Sequence, residues 1–328
     1  MQTATDPAAL SSQPGLPPNI HAHCKLFDLN GQLLRSVPGL YCIFENDGST
    51  VLGVGQNLTK LDKDFKTVWQ VPVVFIHHHI RKSPFSGDYL LIDSAIQMIG
   101  GKSARSDVLR VVSADGKARK TVNFNTLMKQ FKAKGAVIRP FARAYWLDKY
   151  SRDVKENYEY SHVNSFYEYA DGYIVNCYYQ KKILFLDKSL SRITDLIDVS
   201  PRAIHDVQIK EPGKLLFYQN FSDFDAETRF SSIVELDLQT RVYKELYSAK
   251  SAEYSARACG SVQQLGGERY LITHSSCTPA SDAVNSTVLE FVDLNTKTRS
   301  VLTFDKEFKF GAAELIDASE YLKNNKGQ

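Results

Sequence analysis

Apolar and polar residues alternate over short stretches along most of the chain, and this period of two predicts β-strands. One unit recurs, in which an apolar strand is followed by an Asp-containing turn and a second strand. Its six copies contain Asp28, Asp62, Asp115, Asp187, Asp237 and Asp293. Because an Asp side chain accepts hydrogen bonds from its own backbone in tight turns, these aspartates are predicted to be structural rather than catalytic.

A second hairpin precedes most copies, so the full repeat has four strands, the unit of a propeller blade. The chain opens with a lone outer hairpin at residues 24–37 and finishes with a lone inner segment, KFGAAELIDASEYL. Joined in one blade, the two segments would leave no free sheet edge. The sequence therefore predicts an all-β fold, a six-bladed β-propeller closed by its N- and C-terminal segments, as a single domain over residues 21–328.

Two stretches depart from the repeat. Residues 1–20 are rich in Ala, Ser, Pro and Gln and are predicted to be a flexible leader. If the leader is what remains after a signal peptide was removed, the protein is periplasmic or secreted, and a cytoplasmic start is the alternative. Residues 122–150 are predicted to be a partly helical insertion between blades, with Asn125 as its N-cap. The insertion would either cover one face as a lid or simply pack against it.

Composition narrows the function classes. The chain has 328 residues, of which 43% are hydrophobic and 11% aromatic, and its net charge is +3. No basic stretch is interleaved with aromatic residues, so we expect no nucleic-acid partner, and no apolar run is long enough to predict a membrane-spanning helix. The five cysteines form no CxxC pair. Cys259 and Cys277 flank a predicted hairpin and either form a disulfide bond or remain buried thiols.

Three histidines occupy the same place in successive repeats: His78, His162 and His205, each shortly before a glycine turn. Residues that are equivalent by repeat become neighbours around the axis of a closed ring, so these imidazoles are predicted to converge. Imidazole supports metal ligation, proton transfer and nucleophilic attack. A metal is the less favoured choice, because only Asp206 supplies a carboxylate in register, and no cofactor is expected. Gly260, in the next blade, is predicted to leave room for a ligand.

The motifs around these residues resemble those of the bacterial arylsulfotransferase family, six-bladed propellers often found in the periplasm. The similarity runs from about Ile76 to the C-terminus. The matching strings, in chain order, are IHHHI with His78, SHVNS with His162 and Asn164, AIHDV with His205, GSVQQL from Gly260, and FGAAELI.

The resemblance implies transfer of a sulfuryl group from a phenolic sulfate ester to a phenol through a sulfohistidine on His205, without a nucleotide donor. His78, His162 and Asn164 would polarise sulfate oxygens or move the phenolic proton. The candidate substrate-binding residues are Tyr178, Tyr179, Ser261 and Arg257.

One departure from the family leaves alternatives open. Tyr178 or Tyr179 stands where the family has an arginine, and Lys181 is among the residues that would replace its charge. A diverged, non-catalytic propeller that binds a ligand or a protein partner is therefore the second hypothesis. A metal-dependent hydrolase of the lactonase type is the third.

Overall fold

Antiparallel strands joined by short turns make up nearly all of the structure. The computed structural model describes residues 23–28, 32–39, 41–54, 56–99, 102–136, 142–143, 158–159, 161–199, 203–220, 231–249, 260–274, 288–303, 313 and 315. The predicted leader at 1–20 lies outside these residues. Two compact units divide the chain: Met1–Lys132, Val137–Ser161 and Asp317–Gln328 form the first, and Ala133–Ala136 and His162–Ile316 form the second.

The first unit contains a two-stranded hairpin and two larger sheets. The hairpin comprises β1 (His23–Phe27) and β2 (Leu33–Pro38), and the four-stranded sheet comprises β3 (Tyr41–Phe44), β4 (Thr50–Val54), β5 (Asn57–Leu61) and β6 (Thr67–Pro72). The six-stranded sheet comprises β7 (Ile80–Lys82), β8 (Tyr89–Ile99), β9 (Lys102–Val112), β10 (Ala118–Asn123), β11 (Ala142–Arg143) and β12 (Tyr158–Glu159). Its order is β11-β12-β9-β8-β7, and β10 pairs with β9.

The second unit contains three four-stranded sheets, each formed by consecutive strands. The first comprises β13 (Val163–Tyr169), β14 (Gly172–Cys177), β15 (Lys182–Asp187) and β16 (Ile193–Asp198). The second comprises β17 (Ile204–Glu211), β18 (Lys214–Gln219), β19 (Ser232–Asp237) and β20 (Tyr243–Ser248). The third comprises β21 (Ser261–Gly266), β22 (Arg269–His274), β23 (Val288–Asp293) and β24 (Thr298–Thr303).

Burial along each sheet follows the strand order. Every residue of β14 is buried, whereas every residue of β24 is exposed. Apolar residues from adjacent sheets form one cluster, in which Ile174 and Ile183 pack with Leu215 and Phe217. Central strands are therefore covered on both faces and outer strands border solvent, as expected of propeller blades.

The fold is an all-β propeller, but the prediction of six blades is wrong. The described residues form five sheets of four or more strands. Within the described residues the N-terminal hairpin pairs only within itself, because its Asp turn is a local feature that specifies two strands and no partner sheet. Of the C-terminal segment predicted to complete that blade, Ala313 and Leu315 are described, and their amides donate to Thr273 and Gln263 at 3.0 and 2.6 Å.

The structural role predicted for the aspartate turns is confirmed where their hydrogen bonds are described. Asp62 Oδ1 accepts from the backbone amides of Asp64 and Lys66 at 2.9 and 2.8 Å. Asp187, Asp237 and Asp293 accept from amides of their own turns in the same way. In the turn between β9 and β10, Ser113 takes the place that the aspartate has in the other turns, and the Ser113 hydroxyl bonds to Asp115.

The predicted insertion contains α1 (Phe124–Ala133), the single α-helix among the described residues. Its N-cap is Asn123 rather than Asn125, because the Asn123 side chain accepts from the Asn125 amide at 3.0 Å. The buried face of the helix carries Phe124, Leu127, Met128 and Phe131. This helix, like the rest of the described chain, gives no segment that is helical, long and apolar enough to cross a membrane.

A disulfide bond joins Cys24 in β1 to Cys42 in β3, with the two Cα atoms 6.1 Å apart. It ties the N-terminal hairpin to the first four-stranded sheet. Cys177 is a buried thiol. The predicted pair, Cys259 and Cys277, lies outside the described residues.

Candidate active site

Four of the predicted site residues come together in the second unit. The His162 ring lies 5.5 Å from the ring of Tyr178 and 4.8 Å from that of Tyr179. Tyr178 in turn lies 5.5 Å from His205, measured between ring centroids. The two repeat-related histidines are thus bridged by an aromatic side chain.

The backbone around this cluster is held in an uncommon conformation. His162, directly before β13, has a φ of 49°, and Lys181, at the end of the turn after β14, has a φ of 52°. The Tyr178 amide donates to the His162 carbonyl at 3.0 Å, and the Lys181 amide donates to the Tyr178 carbonyl at 3.2 Å. Positive φ costs energy in residues other than glycine and concentrates at functional sites. These contacts hold His162 beside the Tyr178 turn.

His205, on β17, is buried and hydrogen-bonded to Asn220, the residue that follows β18. Since the Asn220 side-chain oxygen only accepts hydrogen bonds, Nδ1 of His205 donates to it, and the neutral imidazole has its lone pair on Nε2. The backbone amide of Asn220 donates to the Ala203 carbonyl at 2.8 Å, which holds Asn220 in place. Asn220 was not among the site residues predicted from the sequence.

Electrostatics keep this imidazole neutral. Burial, followed by the charge interactions with His162 and Lys181, lowers the pKa of His205 to about 3, against the opposing effect of the Asn220 hydrogen bond. Burial also raises the pKa of Tyr178, so its phenol stays protonated. At neutral pH the cluster combines a neutral imidazole with a protonated phenol.

Lys181 adds a positive charge to the cluster. Its ammonium nitrogen lies 4.0 Å from the centroid of the Tyr178 ring, within the range of a cation–π interaction. The side chain is held against the aromatic face and close enough to affect the titration of His205.

Asn164 is buried and its amide contacts the backbone next to His205. Its side-chain nitrogen donates to the Ile204 carbonyl at 2.8 Å, as does that of Asn176. Asn176 also donates to the side-chain oxygen of Asn164. The two amides therefore fix the start of β17.

The remaining predicted residues of this unit lie at the start of β21 or beyond the described residues. Ser261 is buried, and its hydroxyl has no hydrogen-bond partner among the described residues. The position that a Cβ of residue 260 would take is filled, because it would lie 2.4 Å from Cε1 of Tyr218, and room for a ligand beside Gly260 stays a prediction. Arg257 lies outside the described residues.

His78 belongs to the first unit, and its part in a shared site stays a prediction. It also has a positive φ, of 66°, and its ring packs edge-on against that of His77, with centroids 4.9 Å apart. His77 Nε2 lies 2.8 Å from a carboxylate oxygen of Asp107.

The His77–Asp107 pair was missed by sequence reasoning and lies in a buried charged cluster. Asp107 also accepts from the Ser161 hydroxyl, and Arg105 lies 3.8 Å from Asp107 and 3.4 Å from Glu159. Burial opposes ionisation, but His77, Arg105 and Ser161 together hold the pKa of Asp107 well below its usual range. The carboxylate is therefore ionised at neutral pH.

No group of three or more His, Cys, Asp or Glu side chains in the described part of the chain is arranged to hold a metal ion.

Comparison with known proteins shows the fold and gives no activity. No protein-family model and no curated protein matches the chain. A solved structure of a protein of unknown function from Bacteroides caccae is similar, with a TM-score of 0.52 and 10% identity over 87% of this chain and 91% of that one. The structure of a streptogramin B lyase gives a TM-score of 0.48 and 11% identity over 87% of this chain and 78% of that one. At such identities the first likeness extends to the β-propeller fold alone.

Proposed function

We propose that the second unit carries a histidine-dependent transferase site, in which His205 accepts a sulfuryl group from a phenolic sulfate ester and passes it to a second phenol. The observation that supports this most directly is the state of His205. Its Nδ1 proton is held by Asn220, and its low pKa keeps the lone pair of Nε2 available at neutral pH. A neutral imidazole is a competent nucleophile.

In the first half-reaction, Nε2 of His205 attacks the sulfur atom and the bond between sulfur and the phenolic oxygen breaks. The electron pair of that bond leaves with the phenolate, which takes a proton from an adjacent acid. The imidazole becomes positively charged, and the Asn220 oxygen, which accepts a hydrogen bond from Nδ1–H, stabilises that charge. The second phenol reverses these steps by losing its proton and attacking the sulfur of the sulfohistidine.

His162 and Tyr178 are the proposed proton donors and acceptors, since the Tyr178 ring contacts both histidines. Lys181 is the proposed cation for the sulfate oxygens, in place of the family's arginine. An ammonium group is a compact charge that needs no planar, two-point geometry. Substrate contacts of Tyr179, Ser261, Arg257 and His78 remain predictions.

Asn164 has a different proposed role from the one that the resemblance implies. Because its amide nitrogen donates to the Ile204 carbonyl, Asn164 positions the backbone that carries His205 and does not polarise sulfate.

We also propose a periplasmic or secreted location. The disulfide between Cys24 and Cys42 supports it, because structural disulfides persist mainly in oxidising compartments.

The test is turnover of p-nitrophenyl sulfate with phenol as the acceptor. We expect the wild-type protein to release p-nitrophenol and, when quenched during turnover, to carry one acid-labile SO3 group on the His205 peptide. His205→Ala should abolish both signals. Full turnover in His205→Ala would refute the mechanism.

The proposed cation is tested with a matched pair of variants. Lys181→Met should raise KM for the sulfate ester by about tenfold or more, since a hydrogen bond to a charged group contributes about 1.5–3 kcal/mol. Lys188→Met removes the same charge from an exposed turn of the same sheet and should leave KM unchanged. An equal effect of the two changes would mean that general charge, rather than a local contact, is responsible.

A non-catalytic ligand-binding propeller is the second candidate. It is favoured by the hydrogen bond of Asn164 to the backbone and by a tyrosine, Tyr178 or Tyr179, at the position where the resembled family has arginine. Saturable binding of p-nitrophenyl sulfate that is weakened by Lys181→Met, with no phenol released, would select it over the transferase.

A further inference from the structure

A chain of buried polar side chains crosses the second unit next to His205. The Tyr218 hydroxyl lies 2.9 Å from Nδ1 of His274, and Nε2 of His274 lies 3.2 Å from a carboxylate oxygen of Glu290. The other oxygen of Glu290 pairs with Arg299. We call Tyr218, His274 and Glu290 the Tyr218 chain, and all three are at most 1% exposed.

The hydrogen bonds of this chain have a definite direction. A carboxylate only accepts, so Nε2 of His274 donates to Glu290. In the tautomer that carries its proton on Nε2, His274 accepts at Nδ1 from the Tyr218 hydroxyl. Glu290, next to Arg299 and His274, therefore orients the imidazole, and the imidazole orients the phenol.

Packing alone does not explain why polar rather than apolar residues stand at Tyr218, His274 and Glu290. A buried hydroxyl, imidazole and carboxylate must all be satisfied, and such networks often stabilise a protein no more than apolar residues of the same volume. The neighbouring cluster around Ile174, Leu215 and Phe217 shows that adjacent sheets of this unit pack well with apolar side chains. The Tyr218 end of the chain supplies a reason, because it lies beside His205.

Tyr218 adjoins the proposed nucleophile in two ways. It is the residue directly opposite His205 in the pairing of β17 with β18, and directly opposite residues have neighbouring side chains on one face of the sheet. Asn220, which binds His205, lies two residues further along the same segment. The Tyr218 ring also fills the space beside Gly260, where β21 begins.

We propose that the Tyr218 chain is a positioning device for His205: Glu290 and His274 hold the Tyr218 hydroxyl, and the fixed ring sets the orientation of the imidazole opposite it. Tyr218, His274 and Glu290 are positioning residues and do not react themselves. Only the effect on turnover rests on the sulfuryl-transfer function proposed above.

The first experiment does not need turnover. Diethyl pyrocarbonate modifies neutral imidazoles, and the rate at His205 is measured by mass spectrometry of its peptide. Tyr218→Phe removes one hydroxyl and keeps the ring. We expect it to change the His205 rate by about fivefold, the factor that corresponds to one net hydrogen bond of about 1 kcal/mol.

Tyr270→Phe is the matched control. Tyr270 is equally buried, lies on β22 of the same unit, and donates to Glu268 at 2.9 Å. It should leave the His205 rate at the wild-type value. His274→Gln, a second break in the chain, should reproduce the effect of Tyr218→Phe. A wild-type rate in Tyr218→Phe, or an equal change in Tyr270→Phe, would overturn the proposal.

The second experiment measures kcat and KM with p-nitrophenyl sulfate. Misorientation of the nucleophile should lower kcat in Tyr218→Phe by about fivefold with KM nearly unchanged, whereas Tyr270→Phe should retain both constants. If kcat of Tyr218→Phe equals that of wild type, the chain does not position His205. If wild-type protein shows no turnover, the transferase proposal fails, and the labelling rates still decide the role of the Tyr218 chain.

Discussion

Replacing Gly260 with alanine tests how closely β21 approaches Tyr218. Gly260 has a φ of 114°, a conformation that residues with a side chain rarely adopt. A Cβ there would lie 2.4 Å from Cε1 and 2.6 Å from Cζ of Tyr218. The ring cannot move away easily, because its hydroxyl is hydrogen-bonded to His274.

Two unfavourable terms and one favourable term determine the expected loss of stability. The backbone conformation costs about 1–3 kcal/mol, and forcing a methyl group into a filled space costs about 1–3 kcal/mol more. Reduced freedom of the unfolded chain returns about 0.4–1 kcal/mol. The free energy of unfolding should therefore fall by about 1–6 kcal/mol in Gly260→Ala.

Gly213→Ala separates the backbone term from the clash. Gly213 has a φ of 82°, but nothing lies within 4 Å of the position of its Cβ. Urea unfolding followed by circular dichroism should give a loss at Gly213 that is smaller than that at Gly260 by about 1–3 kcal/mol, the cost of overpacking. Equal losses in the two variants would show that Gly260 does not contact the Tyr218 ring.

Three further predictions concern titratable and covalent groups. Burial and charge interactions with neighbouring groups lower the pKa of His205 to about 3, so the unfolded chain binds the extra proton below about pH 6.5, and folding stability falls as pH drops from 6.5 towards 3. His205→Gln should remove this dependence. Urea unfolding at a series of pH values would show it as a difference between the two proteins of up to about 1.4 kcal/mol per pH unit in the free energy of unfolding. Parallel curves of unfolding free energy against pH for the two proteins would contradict it. Asp107→Asn leaves His77 without its ionised partner and should cost about 3–5 kcal/mol in thermal unfolding, whereas a loss below about 1 kcal/mol would argue against a charged pair. Reducing the bond between Cys24 and Cys42, which are separated by 18 positions, should cost about 3 kcal/mol, and a peptide map without reductant should show the two cysteines linked.

Features that depend on neighbouring residues could be predicted from the sequence. The Asp62 turn is defined within four residues, because its carboxylate binds amides of its own loop. The number of blades could not be obtained in this way. Asp28 also accepts from the amide of Gln32 at 2.7 Å, yet in the part of the chain that the structure describes the flanking strands pair only with each other.

The site residues and the disulfide bond that the sequence did not predict depend on contacts between residues far apart in the chain. The predicted pair of His162 and His205 came from repeat equivalence, and Tyr178 does contact both. Asp107, by contrast, binds His77 from 30 residues away, on a six-stranded sheet that has no counterpart in the repeat. The disulfide between Cys24 and Cys42 likewise depends on how the hairpin meets the first sheet, which no spacing rule specifies.

The sheets differ in how far apart in the sequence their paired strands lie, and this difference has a consequence for folding kinetics. The three sheets of the second unit pair strands that follow one another in the chain, so their ladders close short loops and should form quickly. The six-stranded sheet differs, because β12 joins β9 in parallel and Ser161 reaches Asp107 across 54 residues. Loop-closure entropy makes such a contact slow to form. Amides of β9 that face β12 should therefore gain protection from hydrogen exchange later in refolding than those of β14 or β18.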